Sequence, residues 1–484
     1  MATTETRRAR RSSARARGVA PCAPLALFRV AGLAWLTFCC GLTDGASRLS
    51  KSDEDLESLP SPPPPPEDAA KLGAIAHHTP VLERPSTKAK AIGTLHAGAL
   101  VARSEEPVRR SQDCPAGYFA IFPRGYVCLS QGATLDLSHP TLAAMAIRPA
   151  FDRPLPYAYA RTTTETELLE RDPNREAGVR VTQKLSKGAG FAVVGSWSAG
   201  IGDQEPVRLG LLTNGRFVRA EHLRAAEASE FEGYEVGPDS PLPVGFVVKR
   251  GIRLFKENSA GRLEKDTLLE YHTTVRLFSR YRTFDKVRYW MTTDKQRWVR
   301  DRDVTIIHRR TQFPEFAKDD QRWIDVGIVQ GTLVAYEGKK PIFATLVSTG
   351  RDRLGASLTE LANTEMDTLD ASSAEPREDQ DITKLGVFEV VSKSVSLLEV
   401  PPERAGERYP LYDLPWALEL SSGQFLFGAY WHNRFGVEHG SGDVMLSPAD
   451  AGRLFAWATP ELPKAWHGAV ENAQKTRTIV YVHK

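Results

Sequence analysis

The residues best equipped for chemistry lie late in this chain of 484 residues, between Phe425 and Pro460. Gly440, Ser441 and Gly442 follow His439 directly, and His432 precedes them on the same stretch. A serine hydroxyl becomes a nucleophile when an imidazole base lies within hydrogen-bond reach, so Ser441 with His439 or His432 is one pairing to weigh. Against it, His439 and Ser441 fall on what should be one loop, and Gly-Ser-Gly is first of all a turn sequence. His432, His439 and Asp443 are also the donor types of a divalent metal, but their open spacing lacks the shared face of a helical His-Glu-x-x-His; no metal and no cofactor is expected. Tyr430, Trp431 and Phe435 belong to a core or a cleft wall. Thiol chemistry is excluded here, because the five cysteines are Cys22, Cys39, Cys40, Cys114 and Cys128 and none comes later.

The elements that would position these residues read as β. From about Ala74 to residue 322, short alternating runs of Val, Ile, Phe and Tyr are broken by Gly, Pro, Asn and Asp. An apolar strand, a tight turn and an aromatic–Val strand recur three times, at Tyr118 to Tyr126, Val207 to Phe217 and Val287 to Trp298. Each predicts a hairpin, with turns at Pro123-Arg124-Gly125, Asn214-Gly215 and Asp294-Lys295. Near the end, Ser447 is a good N-cap, Pro448 suits a first helical turn and Asp450 complements the dipole. Ala451, Leu454, Phe455 and Ala458 then share one apolar face. His77 and His78 read as solvated.

Composition sets the class. Hydrophobic residues are 41% and charged residues 25%, which fits a folded multidomain chain and neither a disordered polymer nor a polytopic membrane protein. The formal charge is +3, but seven arginines and one glutamate in the first 29 residues carry +6, which leaves the remainder at −3. Nothing here suggests a nucleic-acid footprint. Val30 to Leu42 is uncharged, too short to span a bilayer and suited to the core of an export signal. Residues 1–46 are therefore expected to be a secretory signal or retained anchor, with lipidation at Cys39 or Cys40 a lesser alternative, and this segment is the expected membrane contact. Residues 47–72 form an acidic, Pro-rich spacer. In an exported chain Cys114 and Cys128 most simply form one disulfide; two buried thiols are the alternative.

Two resemblances add to this reading. The first and third hairpins resemble the closing hairpin of bacterial Src-homology-3-like barrels, with Leu82 to Pro85 and Ile252 to Phe255 as opening strands. From Val329 to Gly350 the chain resembles the opening hairpin of the L,D-transpeptidase catalytic domain (YkuD-like), with a Glu337-Gly338 turn and a Ser348-Thr349-Gly350 end. Thr383 to Val390 is similar to that family's Thr-Pro-x-Gly-x-Phe segment, with Lys384 in place of Pro, and Arg351 to Asp381 reads as a polar, acidic loop inserted between the two. Counting back from the helix start, Asp443 stands where the family's catalytic Cys would be, Ser441 at the His position and Phe427 at an upstream His followed by Gly428.

The resemblance implies a mainly β fold, with tandem small β-barrels followed by a β-sandwich and one short C-terminal helix. The expected divisions are a Src-homology-3-like domain at 73–140, a β module at 141–240, a second Src-homology-3-like domain at 241–322, the L,D-transpeptidase-like domain at 323–462 and a tail at 463–484. Without Cys and His at the reacting positions, the expected activity is recognition of peptidoglycan stem peptide or of a cell-wall enzyme, through Tyr430, Trp431, His432, His439 and Gly442. A peptidoglycan cross-linking enzyme with a rewired nucleophile is the alternative. Either role places the protein in the periplasm or cell envelope.

Overall fold

The computed structural model describes residues 62–484 except 176–177, 203, 351–382, 401–406, 408, 441 and 471–475. The expected signal segment, most of the spacer, the insertion at 351–381 and Ser441 thus lie outside the described residues. What is described is β almost throughout, with two α-helices, Pro140–Ala144 and Pro448–Trp457. No helix among the described residues is long and apolar enough to cross a membrane.

All three repeated patterns fold as antiparallel hairpins. They pair Cys114–Ala120 with Tyr126–Cys128, Val207–Leu212 with Phe217–Arg219, and Val287–Thr292 with Arg297–Arg300. The second turn needs Gly215, whose φ is +74°, a value that costs glycine nothing. Cys114 and Cys128 are joined as a disulfide across the first hairpin, with Cα atoms 6.0 Å apart.

The sheets do not close as clear, separate barrels. The segment from Val244 to Ile307 keeps all its described strands in one seven-stranded sheet, with Val244–Phe246 against Thr305–Ile307 at one edge. The first module begins at Lys71–Ala74, two residues earlier than expected, because this strand pairs with both Leu100–Ala102 and Ala133–Thr134. Its strand Ala91–Leu95 continues into the C-terminal part by pairing with Gly468–Val470. Trp466 is buried in the same apolar cluster as Leu72, Val81, Leu95, Phe119 and Val127. His77 is not solvated as expected: its Nδ1 lies 3.0 Å from the Thr213 carbonyl and its ring 5.5 Å from that of buried His96, which stacks on His467.

The C-terminal part is a two-sheet arrangement sharing one long strand. Arg322–Gly327, Thr332–Glu337 and Lys340–Leu346 form a meander, and the start of Gly386–Val400 joins it through Ile479–His483. Beyond Val390 the same strand pairs with Leu411–Leu420 and Gly468–Val470, and Phe425–Gly428 extends that second sheet. Alternation explains the burial: Val480 and Val482 point into the core while Ile479 and Tyr481 are only partly covered. Residues 463–484 are therefore not a tail, a correction to the expected division. Their two strands complete both sheets, and the five-residue alternation at 479–483 is too short to stand out in the sequence.

The helix Pro448–Trp457 forms as expected. The Ser447 hydroxyl accepts the Asp450 N–H at 3.2 Å, Pro448 opens the first turn, and Ala451, Leu454, Phe455 and Ala458 are buried. Asp450 does more than face the dipole. Its carboxylate accepts the Gly233 N–H at 2.9 Å and the Thr345 hydroxyl, and burial pushes its pKa up to about 6 against those bonds. At the other end Lys393, itself buried, donates to the Phe455 and Ala458 carbonyls at 2.9 and 3.0 Å, which satisfies helix C-terminal acceptors with a cation.

Candidate functional site

Phe425–Gly428 and Val444–Leu446 run parallel, with Leu426 opposite Val444 and Phe427 opposite Met445. The loop between them carries the residues singled out from the sequence. Phe427 is 0% exposed and lies 6.1 Å, ring to ring, from Trp431. Asp443 is 1% exposed, and its Oδ1 accepts the Phe425 N–H at 2.8 Å. Next to it the Gln424 side chain donates to the Gly442 carbonyl. Asp443 and Phe427 are thus near one another, but both face inward. The carboxylate ties two strand ends together and the phenyl ring fills core.

Gly442 has φ of +90° and Gly440 of +104°; a Cβ added at Gly440 would fall 2.3 Å from Met445 Cε. These glycines give the loop its shape. Tyr430 is fully enclosed: its hydroxyl donates to the Tyr412 carbonyl at 3.1 Å, and its ring meets Tyr159 at 4.5 Å. It shapes the wall and presents no surface to a ligand.

The polar part of the site centres on His432 and His439, whose rings meet edge to face at 4.5 Å. His439 reaches this position because its N–H donates to the Thr349 carbonyl at 3.0 Å, beside the bridge between Ser348 and Met445. Glu407 Oε1 lies 3.5 Å from His439 Nε2. Burial alone would raise the Glu407 pKa; the neighbouring His439 and Tyr409 side chains, with the Arg161 guanidinium, outweigh it and hold the carboxyl below its usual range. Tyr409 moves the other way, up to about 12, through burial and then the adjacent carboxylate. Arg161 completes the group, its guanidinium 4.9 Å from the Tyr409 ring and its Nη1 donating to the Trp431 carbonyl at 3.3 Å.

His432 has a determined tautomer. The Arg434 backbone N–H, always a donor, points to its Nδ1 at 3.2 Å, so a neutral ring carries its proton on Nε2. Burial, then the neighbouring His439 and Arg434, push its pKa down to about 2, so the ring is neutral at physiological pH. Its Nε2 and the Trp431 Nε1 are both buried without a hydrogen-bond partner. The two rings are nearly perpendicular with centroids 5.6 Å apart; both N–H groups are costly to leave unpaired, and acceptor oxygens would satisfy them.

Arg161, Glu407 and Tyr409 were not singled out from the sequence. They come from other elements and carry no motif, so only the fold brings them to His439. Among the described residues no group of three or more His, Cys, Asp or Glu side chains gathers as a metal site.

No protein-family model and no curated protein matches this sequence. Solved structures that are similar are L,D-transpeptidases at low identity. One, an L,D-transpeptidase (residues 123–326) from Xylanimonas cellulosilytica, is 15% identical over 36% of this chain and 65% of its own, with a TM-score of 0.23. Another, from Mycobacterium smegmatis, is 11% identical over 54% of this chain and 89% of its own, with a TM-score of 0.22. L,D-transpeptidase 1 of Mycobacterium tuberculosis is 14% identical over 49% of this chain and 88% of its own, with a TM-score of 0.20.

Proposed function

We propose that this is an exported cell-envelope protein whose C-terminal domain binds peptidoglycan stem peptide without cross-linking it. The observation that carries the reading is the pair of buried, unpartnered donors, Trp431 Nε1 and His432 Nε2. Peptide carbonyls are the acceptors such a pair fits, and the motif resemblance supplies the class of peptide. Acyl transfer through a thioester needs a thiolate and an imidazole base. Here the chain has no cysteine beyond Cys128, Asp443 spends its carboxylate on a backbone N–H, and Phe427 is core.

A second reading has one observation in its favour: the approach of Glu407 to His439 is how a carboxylate orients a catalytic imidazole. A hydroxyl nucleophile such as Ser441 would then replace the thiol. One experiment separates the two. Purified protein is incubated with muropeptides and with a carbapenem-type acylating probe, and is followed by mass spectrometry and calorimetry. The binding reading expects saturable muropeptide binding, weakened by Trp431→Phe, with no covalent adduct and no product. An adduct that disappears in Ser441→Ala would overturn it in favour of the enzyme.

A further inference from the structure

A second site lies where the first module meets the C-terminal part, apart from the histidine loop. A cavity of about 400 Å³ opens there, a volume in the range of small-ligand pockets. Its apolar wall includes Phe122 and Trp466. Trp466 is 1% exposed, and its Nε1 is buried without a hydrogen-bond partner. The six-membered edge of that indole lies over Gly93, where an added Cβ would fall 2.3 Å from Cε3 and Cζ3. The opposite edge, which carries the N–H, is turned away from this contact. The charged lining is Lys71, Arg148, Lys464 and Glu67. Lys464 and Glu67 pair at 2.7 Å, with the Lys71 charge also acting on Glu67, so the lining carries three cations against one acid.

We infer that this cavity is a binding site for a peptide ending in a free carboxylate, with an apolar terminal side chain against Phe122 and Trp466. The unpaired indole N–H, the surplus of two positive charges and the apolar wall all ask for acceptors on an apolar body. A peptide terminus offers two acceptors at different depths, the carboxylate for Arg148 and Lys71 and the preceding amide carbonyl for the indole. A fatty acid has only the carboxylate and would leave the indole orphaned. The site is independent of the reading of the histidine loop, and each stands or falls by its own variants.

The test is calorimetric titration of the full chain with N-acetyl-Ala-Phe bearing a free carboxyl terminus, with its C-terminal amide and with decanoate. The acid form should bind. The amide should bind about tenfold more weakly, the usual worth of a charge-assisted hydrogen bond, and Arg148→Gln should weaken the acid form about as much, since Arg148 is exposed and its loss spares the fold. Added salt should weaken the acid form more than the amide. No binding of the acid at concentrations on the order of 5 mM, equal binding of the amide, binding untouched by Arg148→Gln, or decanoate binding as tightly as the peptide would each overturn the proposal.

Discussion

Replacing Asp443 separates a structural carboxylate from a reactive one. Its Oδ1 accepts the Phe425 N–H at 2.8 Å and the residue is 1% exposed, so Asp443→Ala removes a charge-assisted bond and strands a backbone donor. Hydrogen bonds to charged groups contribute about 1.5–3 kcal/mol, and an orphaned buried donor costs about 1–3. With relaxation, a net loss of about 2–3 kcal/mol is expected. For a cooperative unit of 150–250 residues, each kcal/mol moves Tm by about 2–4 °C, so thermal unfolding followed by circular dichroism should shift down by about 5–10 °C. Asp443→Asn keeps an acceptor oxygen in place and should lose well under half of that. Muropeptide binding measured well below both midpoints should be the same in all three proteins. An Ala variant that melts with the parent, or an Asn variant that falls as far as Ala, would refute the structural role. Loss of muropeptide turnover at unchanged Tm would assign Asp443 to chemistry instead.

Gly93→Ala should dislodge Trp466, because the new Cβ would fall 2.3 Å from the indole and 2.8 Å from the Gly468 carbonyl; a destabilisation of about 1–3 kcal/mol, the usual range for overpacking, should appear as a lower urea midpoint. Acid should destabilise the fold. Burial holds His432 at about 2 and His467 at about 4, below the unfolded value of about 6.5, so their contribution is complete above pH 6.5 and drains as pH falls, by about 2 kcal/mol each on reaching pH 5. Asp413 and Asp450, both raised to about 6 by burial, act in the opposite sense: they are favoured at low pH and lose stability as pH rises through 6, so acidification from 7 to 5 returns about 1.4 kcal/mol each. For these four groups the balance is a loss of about 1 kcal/mol, and buried His96, also held well below its ordinary range by burial, adds to it in the same direction; the urea midpoint should be lower at pH 5 than at pH 7, and an equal or higher midpoint contradicts it. Reducing Cys114–Cys128, a separation of 14 residues, should cost about 3 kcal/mol, measured as a drop in the urea midpoint with reductant that a Cys114→Ala, Cys128→Ala double variant does not show.

Local signals in the sequence carried the β class and several of its parts. The three hairpins follow from turn residues flanked by apolar runs, the helix from a capping serine and a four-residue apolar face, and the disulfide from counting the cysteines outside the Arg-rich leader. What stayed hidden was set by contacts distant in sequence. Asp443 looks like a substituted reactive group, and nothing in its neighbourhood announces that its partner is the Phe425 N–H across a parallel strand pair. Glu407, Tyr409 and Arg161 meet His439 from separate elements, and a polar side chain leaves no periodic trace of a distant partner. Asp413 is the same kind of case: it gathers Thr213, Ser396 and the Ala192 N–H into one buried node between the second module and the long hairpin. A plain five-residue alternation at 479–483 carries too little apolar signal to mark the closing strand, so sequence pattern alone ends the sandwich at residue 462.

The insertion of Trp466 among the side chains of the first module governs how this polypeptide can be dissected. A fragment cut from 323 to 462 would surrender the strand lying between Arg322–Gly327 and the start of Gly386–Val400, while the piece released from 73 to 140 would keep an indole-sized void. Proteolysis at the intuitive borders should therefore yield two insoluble halves, and shorter versions for crystallisation or display need to retain everything from Lys71 to His483.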